Sequence, residues 1–416
     1  MSKQSFSFPY FLTTIGLSNI AMGLQKVLYP WLVVGVLNES PSKLGLAQLA
    51  VLLPSLLFVL PGGVVSDRRH RGTWLSLLYL LYLLPIGLLI VGFSLGDPAF
   101  YQLILYGFLF GTITAFVQPA RESMLGHAAP EVMHQAVAKV MVVQFIAQGV
   151  GFYLAGQLSI VSPMQLLAIQ MLIFVLSAIF IRLSHPQISA TPDNSQPDTK
   201  SKESKKPLLE LREGLTLFAE NRALLHLVLI VFATGFLAFG VYLVGMPLIA
   251  KQFYGGGATL YAILQIIFTL GIISVNLGVM NRAKVYKKTG KLMVISFLLR
   301  GSLVALVALK PSIWILYPLV YIWGVFSGLS MTLGRTILHN QVPDKVRSRA
   351  ASVYQLCLYG GAPLGALVCG LLVEWIGLSY AFYAIALATL ILSVVTALRS
   401  PLWHIEGHQS SGDRHI

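Results

Sequence analysis

The chain has 416 residues, of which 56% are hydrophobic and 11% charged, with a net charge of +14. A soluble domain carries about 25% charged residues, so the composition excludes a soluble enzyme and indicates a membrane protein. The positive charge does not indicate nucleic acid, because the basic residues fall in short clusters between apolar runs and not on one soluble face.

Apolar segments of about 20 residues, the length that crosses a bilayer, recur along the whole chain. Twelve spans are expected: 9–37, 44–66, 73–95, 99–120, 136–160, 164–183, 223–249, 259–281, 291–309, 313–333, 350–374 and 379–399. The first run has only Lys3 before it and continues without a small-residue cleavage site, so no cleavable signal peptide is expected. One set of connections is short and weakly charged: "NESPS", "LGDPA", "IVSPM", "YGGGA", "LKPS" and "IGLS". The other connections and the termini hold 24 of the 29 Lys and Arg residues; Lys43, Lys251 and Lys310 fall in the first set, and Lys26 and Arg300 within spans. The positive-inside rule then places both termini in the cytoplasm and requires an even number of spans.

Between spans 6 and 7, "SHPQISATPDNSQPDTKSKESKKP" is rich in Ser, Pro and Lys and is expected to be a disordered linker. "LLELREGLTLFAENRALL" follows with helical apolar spacing, as an interfacial amphipathic helix would. The expected organisation is a six-helix bundle over 1–183, a cytoplasmic linker with its amphipathic helix over 184–222, a second six-helix bundle over 223–399 and a cytoplasmic tail over 400–416. Cys357 and Cys369 fall about three turns apart in one span, so neither a disulfide nor a cysteine metal site is expected. No phosphate-cradling loop, HExxH or nucleophile elbow occurs. No cofactor, metal or catalytic residue is therefore expected, and the protein is not read as an enzyme.

The two halves repeat. Asp67-Arg68 maps onto Asn281-Arg282, Arg121 onto Arg335 and Gly156 onto Gly370, each at an offset of 214; Pro130-Glu131 maps onto Pro343-Asp344 at 213. Six being even, the halves share one orientation. Two parallel six-helix repeats predict two bundles about an axis normal to the membrane, with a site between them that faces either side by rocking. That is the physical case for a transporter.

The stretch "LPGGVVSDRRHRGTWLS" packs an Asp, a His and three Arg into the connection between spans 2 and 3. Gly62 and Gly63 permit close helix approach. Asp67 is placed to cap the positive N-terminus of a helix in the other half. Arg68 and Arg71 are placed to reach Glu122 at the end of span 4. Contacts of this kind would form a latch between two conformations; Arg69 and His70 are read as topology residues. "GGVVSDRRHRG" resembles the major facilitator superfamily signature G-x-x-x-D-R-x-G-R-[KR], with Gly63, Asp67, Arg68 and Arg71 matching. His70 and Gly72 depart from it. The resemblance covers the whole chain. It is narrower toward twelve-span drug and siderophore exporters of the macrolide and enterobactin branch, through "FVQPARESMLGHAAPE", "LLELREGLTLFAENRALL" and "HNQVPDKVRSRAAS". It implies that Asp67, Arg68 and Arg71 act as a conformational gate and that spans 1, 4, 7 and 10 line the cavity. Exporters often carry a Gly-Pro-rich span 5. Here Gly149, Gly151 and Gly156 have no proline, and the Gly-Pro run, Gly361 to Gly370 with Pro363, falls in span 11.

Charge inside a bilayer is expensive and marks candidates. Lys26 lies past the midplane of span 1, beside Gln25 and Tyr29. It would bind an anionic group or titrate; snorkelling or pairing with a carbonyl is the structural alternative. Arg300 falls in span 9, which the resemblance places on the outside of the bundle, where packing or snorkelling is expected. Gln118, Gln144, Gln148, Gln265 and Gln355 are polar within spans, as substrate contacts or as helix–helix bonds. Phe236, Phe239 and Tyr242 with Tyr321, Trp323 and Phe326 suit a cavity for amphipathic molecules or a lipid-facing wall. No Asp or Glu lies mid-span, so proton coupling would run through Asp67, Glu122, Lys26 or a His. Asn281, Arg282, Arg335 and Asp344 are the second-half counterparts of the gate. The expected function is a monomeric secondary transporter in a bacterial cytoplasmic membrane, exporting a small amphipathic or anionic compound with protons as the candidate coupling ion. The alternatives are a metabolite importer or facilitator, and a non-transporting sensor or scaffold.

Overall fold

The protein is described here from a computed structural model over residues 7–67, 70–128, 133–184, 218, 221–281, 288–342 and 346–404. Among these residues every regular element is helical. Twelve long helices follow in order: α1 (Phe8–Trp31), α2 (Pro41–Asp67), α3 (Arg71–Leu81 and Leu83–Ser94), α4 (Phe100–Ala128), α5 (Met133–Gly156) and α6 (Pro163–Ser184). Then come α7 (Arg222–Phe253), α8 (Ala258–Asn281), α9 (Thr289–Ala308), α10 (Ile313–Gln341), α11 (Arg347–Ile376) and α12 (Leu378–Arg399). Eleven are long and apolar enough to cross a membrane. The remaining one, α1, has 24 residues, but Thr13, Thr14, Ser18, Asn19, Gln25 and Lys26 dilute its hydropathy.

Local chemistry sets the ends. Pro stands in the first turn of α1, where no intrahelical N–H is needed. The Asn221 side chain accepts from the amides of Ala223 and Leu224 at 3.0 and 3.3 Å and caps α7. Gly377, with φ +82°, makes the sharp turn from α11 into α12. Two helices outrun the expected spans: α4 continues to Ala128 and α10 to Gln341, against 120 and 333. Hydropathy marks where a helix leaves the hydrocarbon, whereas the backbone ladder continues with polar side chains. The linker and most of the segment before α7 lie outside the described residues.

The chain forms two compact units, residues 1–202 with 250–266, and 203–249 with 267–416. In the first, α1 meets α5 at glycines: a Cβ on Gly23 would fall on the backbone of Gln148, and one on Gly151 on the carbonyl of Ile20. In the same way α2 meets α4 with Gly111 against the Val51 carbonyl. The third pair is α3 with α6, where Ser76 donates to the Ala178 carbonyl at 2.9 Å and the rings of Tyr82 and Phe174 stack at 4.3 Å. The second unit repeats this order of pairing. Gly365 of α11 lies against the Phe236 carbonyl of α7, and Gly324 of α10 against the Phe268 carbonyl of α8. Gly301 of α9 lies against Thr389 of α12, where a Cβ would come within 3.0 Å. Gly111 and Gly324 are 213 residues apart and Gly151 and Gly365 are 214, the offsets of the sequence repeat. Both halves therefore use glycine contacts at the first two of these pairings, whatever their proline content. Small residues at such contacts let backbones approach where lipid gives no hydrophobic drive.

At one end of the second unit, Leu227, Met293, Ile337, Val353 and Leu402 share a buried cluster. The turn Pro401–His404 brings Leu402 there, and Lys291 stands over the Trp403 ring at 5.3 Å.

Candidate functional site

The expected gate is only partly described. Gly63 lies near the end of α2, Asp67 is its last residue and Arg71 opens α3. Arg68, Arg282 and Asp344 lie outside the described residues, and Asn281 is the last residue of α8. Of the remaining members, Glu122 is exposed and accepts from Gln118 Nε2 at 3.2 Å, one helical turn away. Arg335 is exposed on α10.

The span candidates of the first unit divide into bound and unbound groups. Gln25 is buried and its Oε1 accepts from the Tyr106 hydroxyl of α4 and from Gln170 Nε2 of α6, the latter at 3.3 Å. Gln170 also donates to the Ala21 carbonyl at 3.2 Å. The Tyr29 hydroxyl bridges the carbonyls of Leu103 and Ala47 at 3.0 and 3.3 Å, fixing α1 to α4 and α2. Gln25 and Tyr29 therefore hold helices together, leaving the Gln25 Nε2 amide without a partner among the described residues. Lys26, between buried Gln25 and Val27, is exposed instead. Its ammonium has no hydrogen-bond or ion-pair partner among the described residues, and the charge it interacts with, Arg121 of α4, is of the same sign. Gln144 is half-buried on α5, Gln148 is buried beside Gly23, and Gln355 is exposed on α11.

Lys251, counted in the sequence only toward topology, makes the contact the sequence did not indicate. Its Nζ donates to the Val34 carbonyl and, at 2.8 Å, to Asn38 Oδ1. The acceptor exists because α1 runs past Pro30 and Trp31 into a π-helical turn, Leu32–Val36, whose end carbonyls need partners. Around it, Tyr261 donates to the Lys26 carbonyl at 3.1 Å and stacks on Trp31 at 6.3 Å. Thr259 donates to the Gly156 carbonyl at 2.6 Å, and Gln265 Nε2 to the Tyr261 hydroxyl at 3.0 Å. The end of α7 and the first turns of α8 are thus fastened to α1 and α5 within the first unit. The available signal was Lys251 itself, one of three basic residues in the weakly charged connections.

In the second unit, α7 is interrupted by π-helical turns at Thr234–Phe239, Val241–Gly245 and Ile249–Phe253. Such turns shift helix phase and often mark functional positions. Tyr242 packs on Phe268 at 4.6 Å, and Phe268 meets Trp323 edge-on at 5.6 Å. Trp323 is 1% exposed, so it is part of a packed aromatic cluster and not a lipid-facing wall. Tyr321 is more exposed and donates to Ser274 at 2.8 Å. Of the two expected fates of Arg300, packing and snorkelling, the structure shows packing. Arg300 is 3% exposed, and its Nη2 donates to Thr234 Oγ1 of α7 at 3.2 Å. Helix phase, set by packing on α10 and α12, turns it inward while Leu306 faces out.

No group of three His, Cys, Asp or Glu that could hold a metal occurs among the described residues. Two units built alike from membrane-length helices, with cations inside the spans, define a multi-pass membrane transporter of the major facilitator type. The family model for transmembrane secretion effectors, MFS_3, matches residues 2–416, and the chain belongs to that family. No curated protein matches. Among solved structures, the nucleoside transporter NupG is similar with a TM-score of 0.70 at 13% identity, over 94% of this chain and 98% of that one. An auto-inhibited POT family peptide transporter gives 0.71 at 12%, over 97% and 98%. A bacterial homolog of the human lysosomal transporter Spinster, inward-facing and unoccupied, gives 0.62 at 14%, over 95% of each. At these identities the likeness concerns the fold.

Proposed function

We propose that this transporter exports a small amphipathic anion across a bacterial cytoplasmic membrane by alternating access, in the manner of the macrolide and enterobactin exporter branch. The observation that carries the reading is Lys26. A lysine within a span is costly unless paired or put to use, and this one is exposed, has no acceptor among the described residues, and has a like charge, Arg121, as its electrostatic neighbour. An anionic group on the substrate would supply the missing partner. The description of the family as secretion effectors supports the outward direction. The excess of Lys and Arg in one set of connections supports cytoplasmic termini. Asp67, Arg68 and Arg71, with Glu122, form the gate in this reading, Asn281, Arg282, Arg335 and Asp344 its counterparts, and protons the coupling ion.

The test is reconstitution in liposomes and transport of paired fluorescent amphiphiles that differ only in a carboxylate. The reading expects the anionic member to be carried faster, and Lys26→Gln to remove that preference. Equal transport of both members by wild type would overturn it.

A further inference from the structure

Arg300 raises a question that the site at Lys26 does not answer. Its guanidinium offers five N–H donors. One of them reaches Thr234 Oγ1, at 3.2 Å, while Nε is buried without a partner among the described residues. The Phe297 ring lies 5.1 Å from the guanidinium carbon, and the phenol of Tyr354 on α11 is within electrostatic range. Tyr354 is itself 4% exposed, has Arg335 as a second cationic neighbour, and lies with its hydroxyl against Gly334 of α10. Nothing in this group is negative. Among the described residues of the second unit the one carboxylate is Glu374, exposed at the far end of α11. It is 20 residues from Tyr354, about 30 Å at 1.5 Å per helical residue. Buried cations persist when paired, and a single hydroxyl with a ring face does not neutralise a guanidinium. Thr234 also opens the first π-helical turn of α7, the kind of backbone irregularity that accompanies binding positions.

We propose that Arg300, held by Thr234, forms a binding site for a small monovalent anion, a halide or a carboxylate group, within the second unit. The anion would accept from Arg300 Nε, while Thr234 holds the guanidinium plane through Nη2. This site is separate from Lys26, which belongs to the first unit, and does not depend on the direction or the substrate proposed above.

The experiment is the melting temperature of the purified full chain in detergent, titrated with chloride or with formate against gluconate at constant ionic strength. Wild type is expected to gain about 2 °C or more at saturation, since a ligand that binds the folded state alone raises stability. The more effective of the two ions identifies the source. Arg300→Gln and Thr234→Val are expected to abolish or weaken the gain, and Lys26→Gln to retain it. Thr234→Val conserves volume and the arginine, so it decides the matter if Arg300→Gln does not fold. A melting temperature indifferent to both ions overturns the proposal. So does a full gain in Thr234→Val, or a gain lost in Lys26→Gln alone.

Discussion

Gln25 and Lys26 are adjacent in sequence and have opposite surroundings. The amide of Gln25 is held by Tyr106 and Gln170 among three helices, while the ammonium one residue on is exposed with no acceptor among the described residues. A hydrogen bond to a charged group is worth about 1.5–3 kcal/mol. Lys26→Gln is therefore expected to raise KM for anionic substrates by about 10- to 100-fold and to leave neutral ones unchanged, as measured by transport in liposomes. Tyr106→Phe removes a buried donor from Gln25. It is expected to cost about 1–2 kcal/mol of stability, read as a lower melting temperature, with no change in selectivity. The sequence identified Gln25, Lys26 and Tyr29 as polar groups in span 1. It did not separate them, because which groups are bound depends on Ala47, Leu103, Tyr106 and Gln170, distant in sequence.

Helix positions and order were legible because an apolar run of bilayer length has few other uses. Helix phase and irregularity were not. The inward turn of Arg300 follows from packing of α9 on its neighbours, and the π-helical turns of α7 fall in an unbroken apolar run with no sequence mark. Glycine contacts were legible as composition in spans 5 and 11 but not as pairs. Gly149 and Gly151 of α5 make the distinction testable. A Cβ on Gly149 meets nothing within 4 Å, and one on Gly151 meets the backbone of α1 at Ile20 and Leu24. Gly149→Ala is expected to be neutral or to stabilise by up to about 1 kcal/mol through helix propensity. Gly151→Ala is expected to destabilise by about 1–3 kcal/mol through overpacking. Thermal unfolding of the two variants in one detergent checks both; equal shifts would contradict the α1–α5 contact.

For the whole molecule, the repeat read from a few matched residues reappears as one order of helix pairing in both units, with glycines at offsets of 213 and 214. The gate was legible as a motif, and its role is a proposal, since Arg68, Arg282 and Asp344 lie outside the described residues while Glu122 and Arg335 are exposed. Asp67→Asn is expected to slow transport by tenfold or more while substrate affinity changes by less than about twofold. That outcome requires an interaction made in one conformation and lost in the other, worth about 1.4 kcal/mol per decade. Substrate binding measured on the purified variant separates a gate from a binding residue. The Lys251 contact with Val34 and Asn38 joins residues more than 200 apart, and no local pattern announces it.

The central claim is outward transport of an amphipathic anion, and efflux tests it most directly. Cells expressing the protein would be loaded with a panel of fluorescent drugs and anionic chelators, and efflux followed with and without a proton uncoupler. The account predicts faster loss of the anionic compounds than in cells lacking the protein, abolished by the uncoupler. Protein present in the membrane with no efflux of any anionic compound, or with net accumulation, would contradict it.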